Sequence, residues 1–276
     1  MSMKIVKSSG AVEEFSSEKL CDSIVNVGAS DNLTAQVCGI VGDSIESGMS
    51  TENIFRITRN YLMEVDPGLA AIYSLDRGLS ALGPSGFIFE QYVAALFEEM
   101  GYDVQTNYYA KGEVVEHEVD VLATKGNVVF VIEAKYRNDY KTKTHINQVM
   151  YADARIEDIR RRAKKDGDTR EYYLWVVTNT QFTDNAMNYV KKRDLQLMGW
   201  EFPRYINIKK IAYEKKLYPV TVLPSITKSA LKQCAKEQLI LAKDLFPLTA
   251  EELQEKFGIS QRSAKKLEQE ILELMF

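Results

Sequence analysis

The spacing of apolar residues changes along the chain, and the first change marks off a small N-terminal region. Alternating apolar and polar residues at 3–7 and 12–15 predict two short paired strands. Apolar positions three and four residues apart then predict four helices, at residues 18–27, 34–47, 54–64 and 68–82. A strand hairpin followed by four helices is a complete small α+β domain.

The middle of the chain mixes one strongly apolar helix with buried strands. The helix, at residues 87–100, has an apolar face formed by Phe89, Tyr92, Val93, Leu96, Phe97 and Met100. Residues 128–135 and 172–179 are runs of apolar and β-branched side chains, which predict buried strands. Residues 107–115 are expected to form a loop or a mobile strand. Helices are predicted at 145–165, where Thr144 is the expected cap, and at 184–192.

The last region is helical. Thr227 is the expected cap of a long helix that ends at Leu245. Thr249 and Glu252 form a capping-box pattern before a short helix that ends at Gly258, and Ser260 is the expected cap of a helix over 261–275. The last two helices resemble a helix-turn-helix or helix-hairpin-helix element. They would serve either as a DNA-binding element or as a packing element.

The cluster Leu82-Gly83-Pro84-Ser85-Gly86 is the strongest break in these patterns. We therefore predict three domains, at residues 1–82, 83–213 and 214–276. The expected fold class is α/β: a small α+β domain, a central α/β/α core with a mixed sheet, and a helical C-terminal segment.

Composition is that of an ordinary globular protein, with 45% hydrophobic and 27% charged residues among 276. We find no run of eighteen apolar residues and no apolar signal-peptide core at the start, so a cytoplasmic protein is expected. Cys21, Cys38 and Cys234 are far apart in sequence and are expected to be reduced thiols. With two histidines in the chain, a histidine-based metal site is not expected.

Charge is unevenly distributed, although the formal net charge is only -4. Residues 1–82 contain 6 basic and 11 acidic residues, whereas residues 135–165 contain 10 basic and 4 acidic ones. An acidic first domain beside a basic stretch fits a nucleic-acid enzyme that carries a separate module. The run Arg160-Arg161-Arg162 could contact phosphates, or it could be a solvated helix end that complements the helix dipole.

The candidate chemistry lies on two consecutive strands. Glu133 and Lys135 are two residues apart on a strand and therefore point to the same face. Residues 125–127 predict a tight turn that would bring Asp120 of the preceding strand beside them. Two carboxylates and a lysine on one sheet surface suit a hard divalent cation such as Mg²⁺. The alternative is a turn-edge acid beside a surface ion pair.

This pattern resembles the PD-(D/E)xK nuclease superfamily, matched here by Asp120 and Glu133-Ala134-Lys135, with Val119 where many members have proline. The segment from Gly86 to Val104 resembles the opening helix of Mrr-like restriction endonucleases. The resemblance implies that Asp120, Glu133 and Glu90 hold Mg²⁺ or Mn²⁺, with the carbonyl of Ala134 as a further candidate ligand. It implies that Lys135 acts on the attacking water and that Gln148 supports it. Glu90 could instead be an ordinary exposed glutamate.

The first domain resembles the ATP-cone, on Val6-Lys7-x-x-Gly10, Glu13-x-Phe15, Lys19-Leu20, Gly48-x-Ser50-Thr51 and Ala71-x-x-Tyr73-x-x-x-Arg77. The resemblance implies that ATP or dATP is an effector. The residues that it places at the nucleotide are Lys7, Glu13, Ser16, Lys19 and Thr51. Ser8 stands where the family usually has arginine, so a phosphate contact is missing. A degenerate cone used only for packing or oligomerisation is the alternative.

Together these resemblances imply a Mg²⁺-dependent DNA endonuclease of the Mrr-like restriction type, modulated by ATP or dATP and serving in defence. The expected partners are double-stranded DNA and an adenine nucleotide, and no membrane association is expected. The chain is expected to form a homodimer or a higher oligomer. Two alternatives remain: a nucleotide-sensing DNA-binding regulator with an inactive nuclease fold, and a structure-specific repair or junction nuclease.

Overall fold

The computed structural model describes residues 3–7, 10–81, 86–137 and 142–276. Its first region contains the predicted antiparallel hairpin and four helices. These elements are β1 (Lys4–Val6), β2 (Val12–Glu14), α1 (Ser17–Val25), α2 (Asp31–Asp43), α3 (Thr51–Val65) and α4 (Pro67–Ala81). Helix α2 begins three residues earlier than predicted, because the Ser30 hydroxyl accepts a hydrogen bond from the Leu33 amide and caps the helix there.

The central region is a five-stranded mixed sheet with helices on both faces, which confirms the predicted α/β class. The sheet has the order β3-β4-β5-β6-β7, antiparallel from β3 to β5 and parallel from β5 to β7. Its strands are β3 (Asp103–Lys111), β4 (Glu116–Lys125), β5 (Val128–Lys135), β6 (Glu171–Thr178) and β7 (Leu195–Met198). Its helices are α5 (Gly86–Glu99), α6 (Ile146–Lys165), α7 (Asp184–Val190) and α8 (Ile208–Glu214).

The structure decides one open alternative in this region, adds one strand and corrects one helix cap. Residues 107–115 were expected to be a loop or a mobile strand, and they are strand as far as Lys111, because the backbone there pairs with β4. Strand β7 was not predicted, since four residues are too few to show a period of two. Thr144 is not the cap of α6: its hydroxyl donates to the Thr178 hydroxyl at 3.1 Å, and His145 occupies the cap position.

The C-terminal region contains four helices and a short 3-10 turn at Val220–Val222. The helices are α9 (Lys228–Lys236), α10 (Ala242–Leu245), α11 (Ala250–Phe257) and α12 (Gln261–Met275). The single long helix expected from 227 to 245 is wrong. Gln238 has a φ of 58°, and the Val220 amide donates to the Ile240 carbonyl, so the chain turns between α9 and α10.

One hydrophobic core joins the C-terminal region to both others. It contains Leu75 of α4, Leu96 of α5 and Leu267 of α12, all with 0% exposure. Polar contacts cross the same boundaries: the Thr221 hydroxyl donates to the Gly78 carbonyl, and Tyr92 donates to the Leu217 carbonyl, each at 2.8 Å. The C-terminal region therefore packs between the helices of the first region and the sheet. The predicted break at residues 82–85 lies outside the described residues.

The cysteine prediction is wrong for two of the three thiols. Cys21 of α1 and Cys38 of α2 form a disulfide, with Cα atoms 5.6 Å apart. Residues distant in sequence meet here because the two helices pack side by side. Cys234 is a free, buried thiol. No helix within the described ranges has the length and apolar character that would let it span a membrane.

Candidate active site and nucleotide pocket

The register of β4 and β5 brings the three predicted site residues together. Val121 pairs with Ile132, so the next position along places Asp120 opposite Glu133 on the same face. The turn between the strands contains Gly126 with a φ of 59°, a conformation that favours glycine. The Lys135 ammonium lies 2.5 Å from Glu133 Oε1 and 3.9 Å from Asp120 Oδ2. The lysine therefore lies within ion-pairing distance of both carboxylates.

Asp120 is held by the backbone of the neighbouring strand. The Ala134 amide donates to Asp120 Oδ2 at 2.7 Å, and the Asp120 side chain is 16% exposed. Burial, and then the negative charge of Glu133, raises the pKa of Asp120, while Lys135 lowers it. This carboxyl group is therefore in a position where added positive charge favours its ionised form.

Glu133 is the most deeply buried of the three, with a side chain that is 5% exposed. One of its oxygens accepts from Lys135 and the other from the guanidinium of Arg155 on α6. The sequence analysis missed Arg155. The sequence did contain a signal for Arg155. It follows Gln148 by seven residues, which is about two helical turns, so both side chains lie on the same face of α6.

Glu90 of α5 approaches the same group of charges. Burial, and then the charge of Asp120, raises the pKa of Glu90, with smaller contributions from Glu118 and Glu133. Across the described parts of the chain, no three His, Cys, Asp or Glu side chains are arranged so that they could hold a metal ion together. The carboxylates that meet at the site are therefore the pair Asp120 and Glu133, with Glu90 beside them.

Gln148 lies in the first turn of α6, as predicted. Its side-chain oxygen is buried and has no hydrogen-bond partner among the described residues. An unpaired buried carbonyl costs free energy, and such exceptions are often found at functional sites. Its role as a support for Lys135 stays a prediction.

The turn after β3 is fixed to α6 by Asp158. Its carboxylate accepts from the amides of Val114 and Val115 and lies 2.8 Å from His117 Nε2. A side chain at Gly112 would collide with Asp158, because a Cβ there would be 2.0 Å from Asp158 Oδ2. The His117 contact and the backbone contacts lower the pKa of Asp158. Beside this turn lies a groove of about 430 Å³ that Tyr151, Arg155 and Arg161 help to line.

Only part of the basic run on α6 is available to a ligand. Arg160 donates to the Tyr172 carbonyl and pairs with Glu157, and Arg162 pairs with Asp166. Arg161 is exposed and lines the groove. The intramolecular contacts of Arg160 and Arg162 support the interpretation of those two as helix-end cations.

A second pocket, of about 210 Å³, lies between the hairpin of the first region and α1, α3 and α4. Four of the five predicted nucleotide residues line it: Glu13, Ser16, Lys19 and Thr51. The fifth, Lys7, lies beside it through an ion pair with Glu13 at 2.7 Å. The Ser16 hydroxyl already accepts from the Lys19 amide and caps α1. The predicted set is therefore brought to one place, although Ser8 lies outside the described residues.

Arg77 also lines this pocket and was not among the predicted nucleotide residues. Its guanidinium lies 3.6 Å from the centre of the Phe55 ring and pairs with Glu52 at 2.5 Å. Phe55 stacks on Tyr73, with ring centres 5.0 Å apart. The pocket thus combines an aromatic surface with a cation contributed by α4.

Three family descriptions match consecutive parts of the chain. Residues 3–80 match the ATP cone domain, residues 83–201 match a restriction endonuclease domain, and residues 218–275 match the C-terminal domain called AF1548-like. The chain therefore joins a restriction-endonuclease-type domain to an ATP-cone, as the sequence motifs predicted.

Individual proteins are also similar to this chain. An uncharacterized protein of Archaeoglobus fulgidus is 32% identical over 175 residues, which cover 63% of this chain and 95% of the relative. The crystal structure of AF1548, a protein of unknown function, is 30% identical with a TM-score of 0.55, covering 69% of this chain and 98% of that one. The restriction endonuclease MspJI, solved in complex with a 27-mer oligonucleotide, is 14% identical with a TM-score of 0.36, covering 62% of this chain and 35% of that one.

Proposed function

The chain belongs to the AF1548-like family, and we propose that it is a metal-dependent endonuclease that cleaves double-stranded DNA and is modulated by an adenine nucleotide. The observation that carries the proposal is the meeting of Asp120, Glu133 and Lys135 on one face of β4 and β5. Removing two carboxylates largely from water costs stability even beside an ammonium group, and such clusters of charge are common at functional sites.

The donor set fits a hard divalent cation. Mg²⁺ in phosphoryl-transfer sites is commonly bound by one or two carboxylates plus substrate phosphates, so a third protein carboxylate is not required. Asp120 and Glu133 would hold the ion, with the Ala134 carbonyl beside them and Glu90 near enough to act through its charge. Bound there, the ion would stabilise the negative charge that develops on the phosphate.

The remaining steps belong to side chains of this chain. Lys135 would orient the attacking water and stabilise the transition state. Arg155 would fix the orientation of Glu133, which it contacts directly. Gln148 would contribute its unpaired oxygen to the position of Lys135 or of the water. The products would be a 5′ or 3′ phosphate end and a free hydroxyl, formed by in-line attack.

The nucleotide part of the proposal rests on the pocket of the first region. Lys19 and Arg77 line it and Lys7 lies beside it, so cations surround an aromatic surface that suits an adenine nucleotide. Helix α4 supplies Arg77 to the pocket and also packs against the C-terminal region through Gly78. A nucleotide that prefers one position of α4 would therefore shift the packing between the cone and the rest of the molecule.

Cleavage of supercoiled plasmid tests the proposal. With Mg²⁺, wild type should cleave modified or unmodified plasmid, and ATP or dATP should change the rate. Asp120→Ala, Glu133→Ala and Lys135→Ala should each lower cleavage by more than about 1,000-fold, because the three act as a unit. Glu116→Ala, an exposed acid on the same strand, is the control and should retain activity. Cleavage by pure Glu133→Ala and Lys135→Ala proteins would refute the assignment, and DNA binding without cleavage would favour a regulator.

A further inference from the structure

The last two helices form a compact unit whose two outer faces carry opposite charge. Helices α11 and α12 are joined by three residues, Gly258 to Ser260, and Gly258 has a φ of 60°. The Ser260 hydroxyl caps α12 by accepting from the Ser263 amide at 3.2 Å. Two helices joined by so short a turn occur in helix-turn-helix DNA-binding elements, where the second helix enters the major groove.

Helix α12 packs one face into the core and exposes the opposite face. The buried face consists of Ala264, Leu267, Ile271 and Leu274. The exposed positions are Gln261, Arg262, Lys265, Lys266, Gln269, Leu272 and Glu273. The hydrophobic spacing therefore fixes which side of the helix is presented to solvent, and that side begins with amides and cations.

Two of the three acids of α12 are directed away from this face. The third, Glu273, is exposed near the end of the helix, where it accepts from the Gln269 amide group at 2.8 Å. Both oxygens of Glu270 accept from Ser225, and the Glu270 side chain is 11% exposed. Glu268 accepts from the Ala250 amide at 3.0 Å. The carboxylates of Glu268 and Glu270 are therefore directed towards the protein. The basic residues that precede them in α12 are exposed to solvent.

The cations on this face have little intramolecular compensation. Arg262 and Lys265 form no ion pair with any residue that the structure describes, and Lys266 lies 4.0 Å from Glu270 with a side chain that is 68% exposed. Like charges three and four residues apart on a helix destabilise it by about 0.2–0.5 kcal/mol per pair. A polyanion would remove that repulsion.

The neighbouring helices differ from α12 either in charge or in position. The exposed face of α11 carries Glu251, Glu252 and Glu255. Helix α9 exposes three lysines, at 228, 232 and 236, which form no ion pair within the described residues. It is not the second helix of a closely joined pair. What distinguishes α12 from α9 is its position: its cations lie at the start of the second helix of a pair joined by three residues.

We propose that the exposed face of α12, formed by Gln261, Arg262, Lys265 and Lys266, is a DNA-binding surface separate from the carboxylate site. It would hold the DNA duplex through its phosphates, with Gln261 and Arg262, at the start of the helix, nearest the base edges. This inference rests on the proposed nuclease function, because it supplies a second contact to the same substrate.

The test measures binding in EDTA, so that cleavage is not required. Affinity of the full chain for a fluorescent 30-base-pair duplex is measured across a series of salt concentrations. The variant Arg262→Gln/Lys265→Gln/Lys266→Gln should bind at least about tenfold more weakly. The slope of log affinity against log salt should decrease in magnitude by about 1.8, since Lys265 and Lys266 each lose a phosphate contact that contributes about 0.9. The matched control removes the same charge from the same region, by Lys228→Gln/Lys232→Gln/Lys236→Gln, and should leave the slope nearly unchanged.

Both triple variants change exposed residues, and equal melting temperatures would confirm that the fold is retained. Unchanged affinity and slope in the α12 variant would overturn the proposal. Equal losses in both variants would also overturn it, because the effect would then be general charge. Wild type that binds in EDTA with the expected slope but does not cleave with Mg²⁺ would refute the nuclease function and leave the DNA-binding surface standing.

Discussion

Glu133 forms its ion pairs beneath the surface, whereas Arg77 of the nucleotide pocket forms its pair on the surface. The Glu133 side chain is 5% exposed and meets both Lys135 and Arg155. The Arg77 and Glu52 side chains are 48% and 69% exposed. Desolvation makes buried ion pairs costly to form and costlier to break, whereas exposed pairs contribute little. The two sites therefore differ in rigidity: the first is fixed before a ligand arrives, and the cations of the second can reorient around one.

The largest expected difference between the sites is in stability. Arg155→Met should lower the free energy of unfolding by about 3 kcal/mol, because Glu133 loses one of its two cationic partners in a buried position. The matched change Arg77→Met should lower it by less than about 1 kcal/mol. Urea denaturation measures both. If both variants lost a similar amount of unfolding free energy, the buried and exposed ion pairs would not differ as proposed.

Nucleotide affinity should show the next largest effect. Lys7→Ala/Lys19→Ala should weaken ATP and dATP binding by about tenfold, because charge-assisted hydrogen bonds to the triphosphate are lost. AMP binding, which lacks two of the phosphates, should change less. Calorimetry on both proteins with the three nucleotides measures this. If wild type binds none of them at millimolar concentration, the pocket serves packing alone and the proposed regulation fails.

A smaller effect is expected on DNA affinity from the basic run of α6. Reversing Arg160, Arg161 and Arg162 together should lower affinity for all DNA sequences, but the structure attributes the effect to Arg161. Arg161→Gln should reduce the salt slope by about 0.9, since one phosphate contact is lost. Arg162→Gln is the control, because Arg162 is already paired with Asp166. If the salt slope fell equally in both variants, Arg161 and Arg162 would not differ in their contact with DNA.

The smallest effect concerns the turn fixed by Asp158. Contacts from His117 and from two amides lower its pKa, so its contribution to stability is present above the ordinary aspartate pKa of about 4 and is lost as the pH falls through the lower folded value. The melting temperatures of wild type and Asp158→Asn should therefore differ at pH 7 and converge in acid. A difference that stays constant down to pH 2 would show that ionisation is not the cause.

The sequence was sufficient for features that depend on residues close together in the chain. Alternation along β5 placed Glu133 and Lys135 on one face, and the turn at Gly126 brought Asp120 beside them. The capping box at Thr249 and Glu252 located α11 correctly, as did the cap at Ser260 for α12. In each case, backbone geometry over a few residues decides the outcome.

Features that depend on packing between distant segments required the tertiary structure. Arg155 reaches Glu133 across 22 residues, and Cys21 meets Cys38 across 17. The helix expected from 227 to 245 is broken because the Val220 amide pairs with the Ile240 carbonyl, a contact that local periodicity does not show. Arg77 joins Lys19 at the nucleotide pocket because α4 packs against α3. The sequence thus determined which residues could carry the chemistry, while long-range packing decided which charges surround them, since burial and ion pairing arise only when separate elements meet.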